Sequence, residues 1–373
     1  MFLAQQSTLD RTGFFRYDPR SSCCRSDHPG RSISKATDFN VASPKPVLRL
    51  IVTHAHCHLD ERAAIWMMRQ FGERRYAFPN GPPAVFYAES ETQAQQVLDA
   101  RDDAVAIGVL GGEFDEHKAE GRLKGVCAND LVAKGLRVDR NRSLKIILRE
   151  VNRADCEAGQ MHFELGQALK TMLSYGNFTD EELTDFVGKF LDAELAKARE
   201  FNELCPDDFK RTGKIIVIRG VPVAIVRSDL ASMNAYARSM RGARLVVIQR
   251  EGGNVQIFSQ TSHKGFVQWI AREIMRVENW LEGRSREGRA LDEESFGQII
   301  TTGKGRELPG SAGHWYFHLE AGAILNGSLS HKVAPTRIDL ELFEAIVERG
   351  MDASVEAGAM YIVGDSPPDA SEA

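Results

Sequence analysis

The sequence lacks the features that mark disulfide-rich, membrane-spanning or serine-nucleophile proteins. Its six cysteines include no C-x-x-C pair and no regular spacing, which excludes a disulfide framework or a zinc ribbon. No window approaches the ~18 apolar residues that a membrane span requires, and no apolar stretch near the N-terminus suggests a signal peptide. No G-x-S-x-G elbow is present. We therefore expect a cytoplasmic protein without a membrane partner.

The chain also has little net charge, −5 over 373 residues, so charge alone does not indicate a nucleic-acid or membrane-binding protein. Its 43% apolar content is that of an ordinary globular protein. At roughly 100 to 200 residues per domain, the length predicts about two domains. An excess of Lys and Arg from Pro206 to Ala290 would suit a phosphate-rich ligand in the second half.

Patterns of apolar residues predict an α/β protein. The runs at 47–52, 84–88 and 104–110 have strand length and alternate with helix-like stretches, which indicates a parallel sheet. Residues up to about 45 show no sustained period. The predicted segments are a disordered extension (1–45), a metal-binding α/β domain (46–160), a helical bridge (161–205), a smaller substrate-binding α/β domain (206–350) and a tail (351–373).

A cluster of histidines and acids follows the first predicted strand. His54, His56, His58 and Asp60 occupy alternate positions and would point to one side of an extended chain. Imidazole and carboxylate groups arranged in this way are typical ligands of a transition metal, and the acid extends the choice toward Mn²⁺ or Mg²⁺. Three histidines within five positions are unusual in a chain that has ten in all.

Two further segments supply candidate ligands. Asp115 and His117 follow the third predicted strand, and ligands of parallel sheets bind at the carboxyl ends of strands, so this segment should meet the histidine cluster. Asp155 ends a predicted helix, where the helix dipole disfavours an acid unless a positive partner is near. Together these groups suffice for one or two metal ions that activate a water molecule.

The predicted second domain offers candidate substrate contacts. Gly313 and His314 form a glycine-histidine loop that could bind a phosphate or carboxylate, and Arg227 and Arg250 near strand ends could contact phosphate through their guanidinium groups. Incidental core histidines and ordinary surface arginines are the alternative interpretation of these residues.

The order of motifs resembles that of the DHH phosphoesterase superfamily, in particular the branch of the eukaryotic melanocyte-proliferating-gene proteins. Thr53-His54 and His58-Leu59-Asp60-Glu61 match its opening motif, the segment 111–117 matches its Gly-Gly and Asp-His-His elements, and Cys127 to Val132 and Asp155 match later ones. The resemblance implies a DHH-like parallel-sheet domain, a helical bridge, a smaller α/β domain with a substrate-binding role for His314, and metal-dependent, exonuclease-like activity.

Two positions depart from the family pattern. Val109 stands where the family has an aspartate, and Glu116 replaces the central histidine of Asp-His-His. One metal instead of two, a substitute role for Glu113 or Glu116, and a non-catalytic protein that binds nucleotide or metal all stay open. A metallo-β-lactamase-type hydrolase is a further alternative, although it would require Asp at 58 and His at 59, where this chain has His and Leu.

The sequence thus predicts a phosphoesterase that depends on Mn²⁺ or Mg²⁺ and acts on a nucleotide or a short nucleic acid. The predicted metal ligands are His54 or His56, His58, Asp60, Asp115 and Asp155. His117, together with Asp115, is the predicted catalytic group, which either binds the metal or protonates the leaving oxygen. The identity of the substrate and the oligomeric state stay open.

Overall fold

The computed structural model describes residues 44–157, 164–260, 265–281, 315–318, 321–327 and 333–358. From Lys45 onward these residues belong to one compact unit. The predicted extension at 1–45 lies almost entirely outside the described residues, as do Gly313 and His314. Within the described part of the chain, no helix combines the length and the apolar character that crossing a bilayer requires.

A three-stranded parallel sheet forms the centre of the N-terminal half, as the sequence predicts. Its strands are β1 (Leu50–His54), β2 (Ala84–Ala88) and β3 (Ala104–Ala106), in the order β2-β1-β3. Helix α2 (Glu91–Asp99) connects the two outer strands. The third strand is shorter than predicted, because the chain turns sharply after it at Gly108, whose φ is +65°.

Helix α1 (Leu59–Phe71) follows β1 and is the most buried helix of this half. Its residues from Leu59 to Met68 are all buried, since α1 packs on α3 (Ala128–Gly135), α4 (Lys145–Cys156) and α6 (Asp180–Arg199) as well as on the core below the sheet. Such all-round burial requires a partner for each polar side chain of the helix. This half also contains the hairpin of β4 (His117–Lys118) and β5 (Gly121–Arg122), and helix α5 (Leu165–Tyr175).

The C-terminal half contains a six-stranded mixed sheet between two layers of helices. One layer consists of α7 (Cys205–Thr212) and α8 (Met233–Arg241), and the other of α9 (Val267–Leu281) and α10 (Leu342–Glu356). The last predicted boundary, at residue 350, falls inside α10. The strands, in the order β10-β11-β9-β8-β7-β6, are β6 (Gly213–Ile218), β7 (Val221–Arg227), β8 (Leu245–Gln249), β9 (Val255–Ser259), β10 (Tyr316–His318) and β11 (Ala323–Leu325).

A buried ion pair joins α1 to the start of α6. The fully buried Arg62 donates from Nη2 to Asp180 Oδ1 at 2.5 Å and from Nη1 to Thr184 Oγ1 at 2.8 Å. The other carboxylate oxygen of Asp180 accepts a hydrogen bond from the backbone N–H of His56 at 2.8 Å. Asp180 therefore fixes both the packing of α6 and the loop that enters α1.

Replacing Asp180 with Ala should lower the free energy of unfolding by about 3 to 5 kcal/mol, because the buried Arg62 guanidinium would lose its counter-charge. The matched control is Asp185→Ala on the same helix, whose carboxylate is 59% exposed and lies 3.7 Å from Arg69. An exposed pair of this kind contributes less than about 1 kcal/mol. Urea unfolding of both variants measures the difference, and equal small losses would contradict the account.

Candidate metal centre

The loop between β1 and α1 positions the histidine cluster. His54 ends β1, His58 is the N-cap residue of α1, and His56 between them has a φ of +57°. This left-handed residue turns the chain, so the histidines do not alternate as they would on an extended strand. The side chain of His56 is 77% exposed and its Nδ1 lies 3.9 Å from Asp180 Oδ2. The structure therefore brings His54 and His58 to the same cavity but not His56.

Glu61 holds this loop in place. Its Oε1 lies 3.0 Å from His54 Nε2, and its Oε2 accepts a hydrogen bond from the backbone N–H of His58 at 2.7 Å. The hydrogen bond to Glu61 outweighs burial and raises the pKa of His54 to about 9. Burial pushes the pKa of Glu61 upward, but the hydrogen bond with His54 and the charge of that imidazole outweigh it, and the pKa falls to about 2. His54 is thus a protonated partner of Glu61.

Gly108 gives Glu61 the space that this arrangement needs. A Cβ atom at position 108 would lie 2.6 Å from Glu61 Cγ, and the φ of +65° favours glycine in any case. The glycine therefore lets the turn after β3 approach the first turn of α1, and it brings the two predicted ligand segments together.

Replacing Gly108 with Ala should destabilise the protein by about 2 to 4 kcal/mol, because overpacking against Glu61 adds to the cost of the left-handed backbone. Gly81→Ala is the matched control, since Gly81 has a φ of +88° but nothing lies within 4 Å of a Cβ atom there. It should cost only the backbone term, roughly 1 to 2 kcal/mol. Thermal unfolding of both variants separates the two effects, and an identical loss in both would refute the role given to Glu61.

Asp60 is a buried acid with an oxygen that receives no hydrogen bond. The residue is 1% exposed, its Oδ2 accepts from the backbone N–H of Ala128 at 3.3 Å, and its Oδ1 has no donor among the described residues. Burial, followed by the neighbouring charge of Glu61, raises the pKa of Asp60 well above its usual range. A cation beside this group would offset both effects.

The segment after β3 contributes Asp115, Glu116 and His117 in two different ways. Asp115 is buried and accepts hydrogen bonds from the backbone N–H groups of Gly111 at 2.7 Å and His117 at 2.8 Å, so it shapes the turn. Its Oδ1 also lies 3.2 Å from His117 Nδ1. Glu116 is buried, burial raises its pKa, and its Oε2 has no hydrogen-bond partner in the described ranges. Glu113 instead pairs with Arg75, 2.5 Å away.

Asp155 lies near the end of α4 and has the positive partner that its position predicts. That partner is Arg122, on β5, which contacts Asp155 Oδ2 directly and also lies 3.6 Å from Glu116 Oε1. No pattern in the sequence indicates this role of Arg122, because a lone arginine in a glycine-rich hairpin has no diagnostic spacing.

One cavity of about 700 Å³ is lined by most of these charged and imidazole side chains but not by Asp115; they are His54, His58, Asp60, Glu61, Glu116, His117, Arg122 and Asp155. Two sets of three groups each offer ligand atoms within 4.8 Å of one another, and both contain carboxylate oxygens and one imidazole. Oxygen donors with a single nitrogen suit Mn²⁺, Mg²⁺ or Zn²⁺. The sets are His58, Asp60 and Asp155, and Asp115, Glu116 and His117. The acidic clusters could therefore hold a metal ion.

The other predicted contacts lie elsewhere. Arg227 donates to Gln249 Oε1 at 3.0 Å and pairs with Glu341 at 3.1 Å. Arg250 donates to the backbone carbonyls of Ser228 at 2.9 Å and Leu230 at 3.2 Å. Both arginines line a separate cavity of about 980 Å³ in the C-terminal half, and neither borders the metal cavity.

Comparison with known proteins does not assign the chain to a family. No family model matches it, and no curated protein matches it significantly. A crystal structure of an uncharacterized protein from Helicobacter pylori G27 matches 57% of this chain and 86% of its own, with 13% identity and a TM-score of 0.28. A likeness at that level carries no argument about fold or function.

Proposed function

We propose that this protein is a divalent-metal-dependent phosphoesterase that hydrolyses a nucleotide or a short oligonucleotide. The observation that carries the proposal is the pair of buried carboxylates, Asp60 and Glu116, that border one cavity. Each has an oxygen without a hydrogen-bond partner in the part of the chain that is described. His58, Asp155 and His117 border the same cavity.

The donor set fits a divalent ion. Burying an ionised carboxylate without a partner costs several kcal/mol, about the scale of a whole domain's stability. Asp60 has no ion pair among the described residues, and Glu116 has only His117 at 3.5 Å and Arg122 at 3.6 Å. Both acids would therefore be destabilising unless a metal ion or a proton neutralised them. His58, Asp60 and Asp155 would hold such an ion, with Glu116 and His117 available to a second one. The ion would supply a Lewis acid that activates water and stabilises charge on phosphoryl oxygens.

The protein's own groups would orient the substrate and exchange protons. Asp115 holds Nδ1 of His117, which leaves Nε2 of that ring to give a proton to the leaving oxygen. The imidazole is 61% exposed at the cavity, so a substrate could reach it. Gln167 and Lys170 on α5 also line the cavity, where they could contact a phosphate or a sugar.

The resemblance to the DHH phosphoesterases supports the same proposal. Thr53-His54 and His58 to Glu61, which match the opening motif, lie at the carboxyl end of the central parallel strand. The segment 111–117, which matches the later motif, follows the adjacent strand β3. We therefore propose a DHH-like layout for the N-terminal domain, with a helical bridge and a smaller substrate-binding domain.

A non-catalytic metal-binding or nucleotide-binding protein is the second candidate. Val109 stands where the resemblance implies an acid, and it is buried in a cluster with Val52, Ala88 and Ala94. An apolar residue in such surroundings cannot ligate a metal, which removes one ligand from a two-metal centre. This candidate keeps the metal and loses turnover.

Metal content and phosphate release together decide between the candidates. Mass spectrometry on protein purified without a histidine tag should find Mn, Mg or a related metal, and added Mn²⁺ should release phosphate or mononucleotide from a small substrate panel. Bound metal without turnover would favour the binding protein. Absence of metal, with no turnover after Mn²⁺ is added, would overturn the proposal.

A further inference from the structure

Arg122 places a positive charge among the acids of the cavity. It lies on β5 in a short hairpin, and its guanidinium contacts Asp155 Oδ2 and approaches Glu116 Oε1 to 3.6 Å. Among the described residues that line the cavity, Arg122 and Lys170 are the only lysine or arginine side chains. Of these two side chains, Arg122 is the one in ion-pair contact with Glu116 and Asp155.

The contacts of Arg122 coincide with those of the proposed metal. Asp155 belongs to one candidate ligand set and Glu116 to the other, so the guanidinium bridges the two sets. A divalent ion and a guanidinium repel each other and cannot use the same carboxylate oxygens at full strength. The two cations should therefore compete.

The hairpin leaves Arg122 able to change partners. Its side chain is 42% exposed. Among the described residues, its side-chain hydrogen bonds and ion pairs are those with Asp155 and Glu116. The preceding Gly121 has a φ of +117° and nothing lies within 4 Å of a Cβ atom there, so the backbone around Arg122 is open. A guanidinium released from a carboxylate is well suited to bidentate contact with phosphate oxygens.

We propose that Arg122 is an internal counter-ion that yields Asp155 and Glu116 to the divalent cation and then binds the phosphoryl oxygens of the substrate. The inference rests on the proposed function, because it takes the metal and the phosphate as the two ligands. According to this inference, Arg122 weakens the binding of the metal and strengthens the binding of the phosphate.

Calorimetric titration of the full chain with Mn²⁺ tests the first half. Arg122→Gln should bind Mn²⁺ roughly three- to tenfold more tightly than the unmodified protein, because the competing charge is gone. Arg122→Lys keeps the charge and should bind Mn²⁺ with unchanged affinity. The matched control is Arg101→Gln, which removes the same charge from an exposed pair with Asp103 outside the cavity and should have no effect.

Titration with inorganic phosphate, in the presence of saturating Mg²⁺, tests the second half. Arg122→Gln should bind phosphate roughly tenfold or more weakly, since it loses a charged hydrogen-bond donor. Arg122→Lys should also bind it more weakly, because an ammonium group cannot make the two parallel hydrogen bonds of a guanidinium. Circular dichroism melting shows whether each variant is folded. If Arg122→Gln is unfolded, phosphate binding by Arg122→Lys decides whether Arg122 binds the substrate.

Opposite shifts in the two affinities are the expected signature. If the unmodified protein binds Mn²⁺ and Arg122→Gln binds it with equal or lower affinity, the inference is overturned and the proposed function stands. Tighter Mn²⁺ binding with unchanged phosphate binding would overturn the role in substrate binding. Absence of Mn²⁺ binding in every variant would overturn the inference and the proposed function together.

Discussion

Replacing Asp60 with Asn is expected to reduce phosphoester hydrolysis by roughly 10³-fold or more, since loss of the metal removes several kcal/mol of charge stabilisation and each 1.4 kcal/mol is tenfold in rate. The same substitution should raise the stability of the chelator-treated protein by about 1 kcal/mol or more, because it removes a buried charge without a partner. Asn is close to Asp in shape and can still accept the hydrogen bond from Ala128.

Hydrolysis with added Mn²⁺ and urea unfolding in chelator measure the two effects of Asp60→Asn. Asp139→Asn, at an exposed position outside the cavity, is the control and should change neither quantity. In Asp60→Asn, activity should fall while stability rises. Damage to the fold would instead lower both activity and stability, so the two explanations can be told apart. Full activity, or a loss of stability in parallel with activity, would argue against Asp60 as a metal ligand.

Replacing Asp115 with Asn should instead lower both activity and stability. The carboxylate of Asp115 accepts backbone hydrogen bonds at each of its oxygens, and an amide keeps only one acceptor. One of these partly buried N–H groups would then lose its hydrogen bond, at a cost of about 0.5 to 1.5 kcal/mol. Hydrolysis should fall by roughly 10²-fold, because displacing the turn moves Glu116 and His117 away from their positions in the cavity.

Comparing Asp115→Asn with Asp60→Asn separates two roles that the sequence does not distinguish. Urea unfolding in chelator gives the stability of each variant, and initial rates with Mn²⁺ give the activity. A stability that is unchanged or raised in Asp115→Asn would show that the turn does not depend on this carboxylate. Asp115 would then be better explained as a direct metal ligand.

The parallel sheet and the convergence of its loops could be predicted from the sequence. Short apolar runs alternating with helical stretches determine β1, β2 and β3, and the rule that parallel strands end at the same edge brings the His54 and Asp115 segments together. Local periodicity is sufficient for this level of description.

The direction of individual side chains could not be predicted in the same way. The alternating pattern of the histidines suggests a shared side, but the left-handed backbone at His56 removes that residue from the cavity. The backbone hydrogen bonds of Asp115 and the pairing of Arg122 with Asp155 are long-range or turn-specific features without a periodic signal. The sequence identifies Glu61 and Glu116 only as members of motifs. Their roles depend on how deeply the fold buries them, which the motifs do not indicate.

The most direct test of the central claim is the position of a bound metal ion in crystals grown with Mn²⁺, located by anomalous diffraction at the manganese edge. We expect a peak within bonding distance of Asp60 and Asp155, with His58 beside it and any second peak next to Glu116. A map with no peak in this cavity, or with manganese bound only elsewhere, would contradict it.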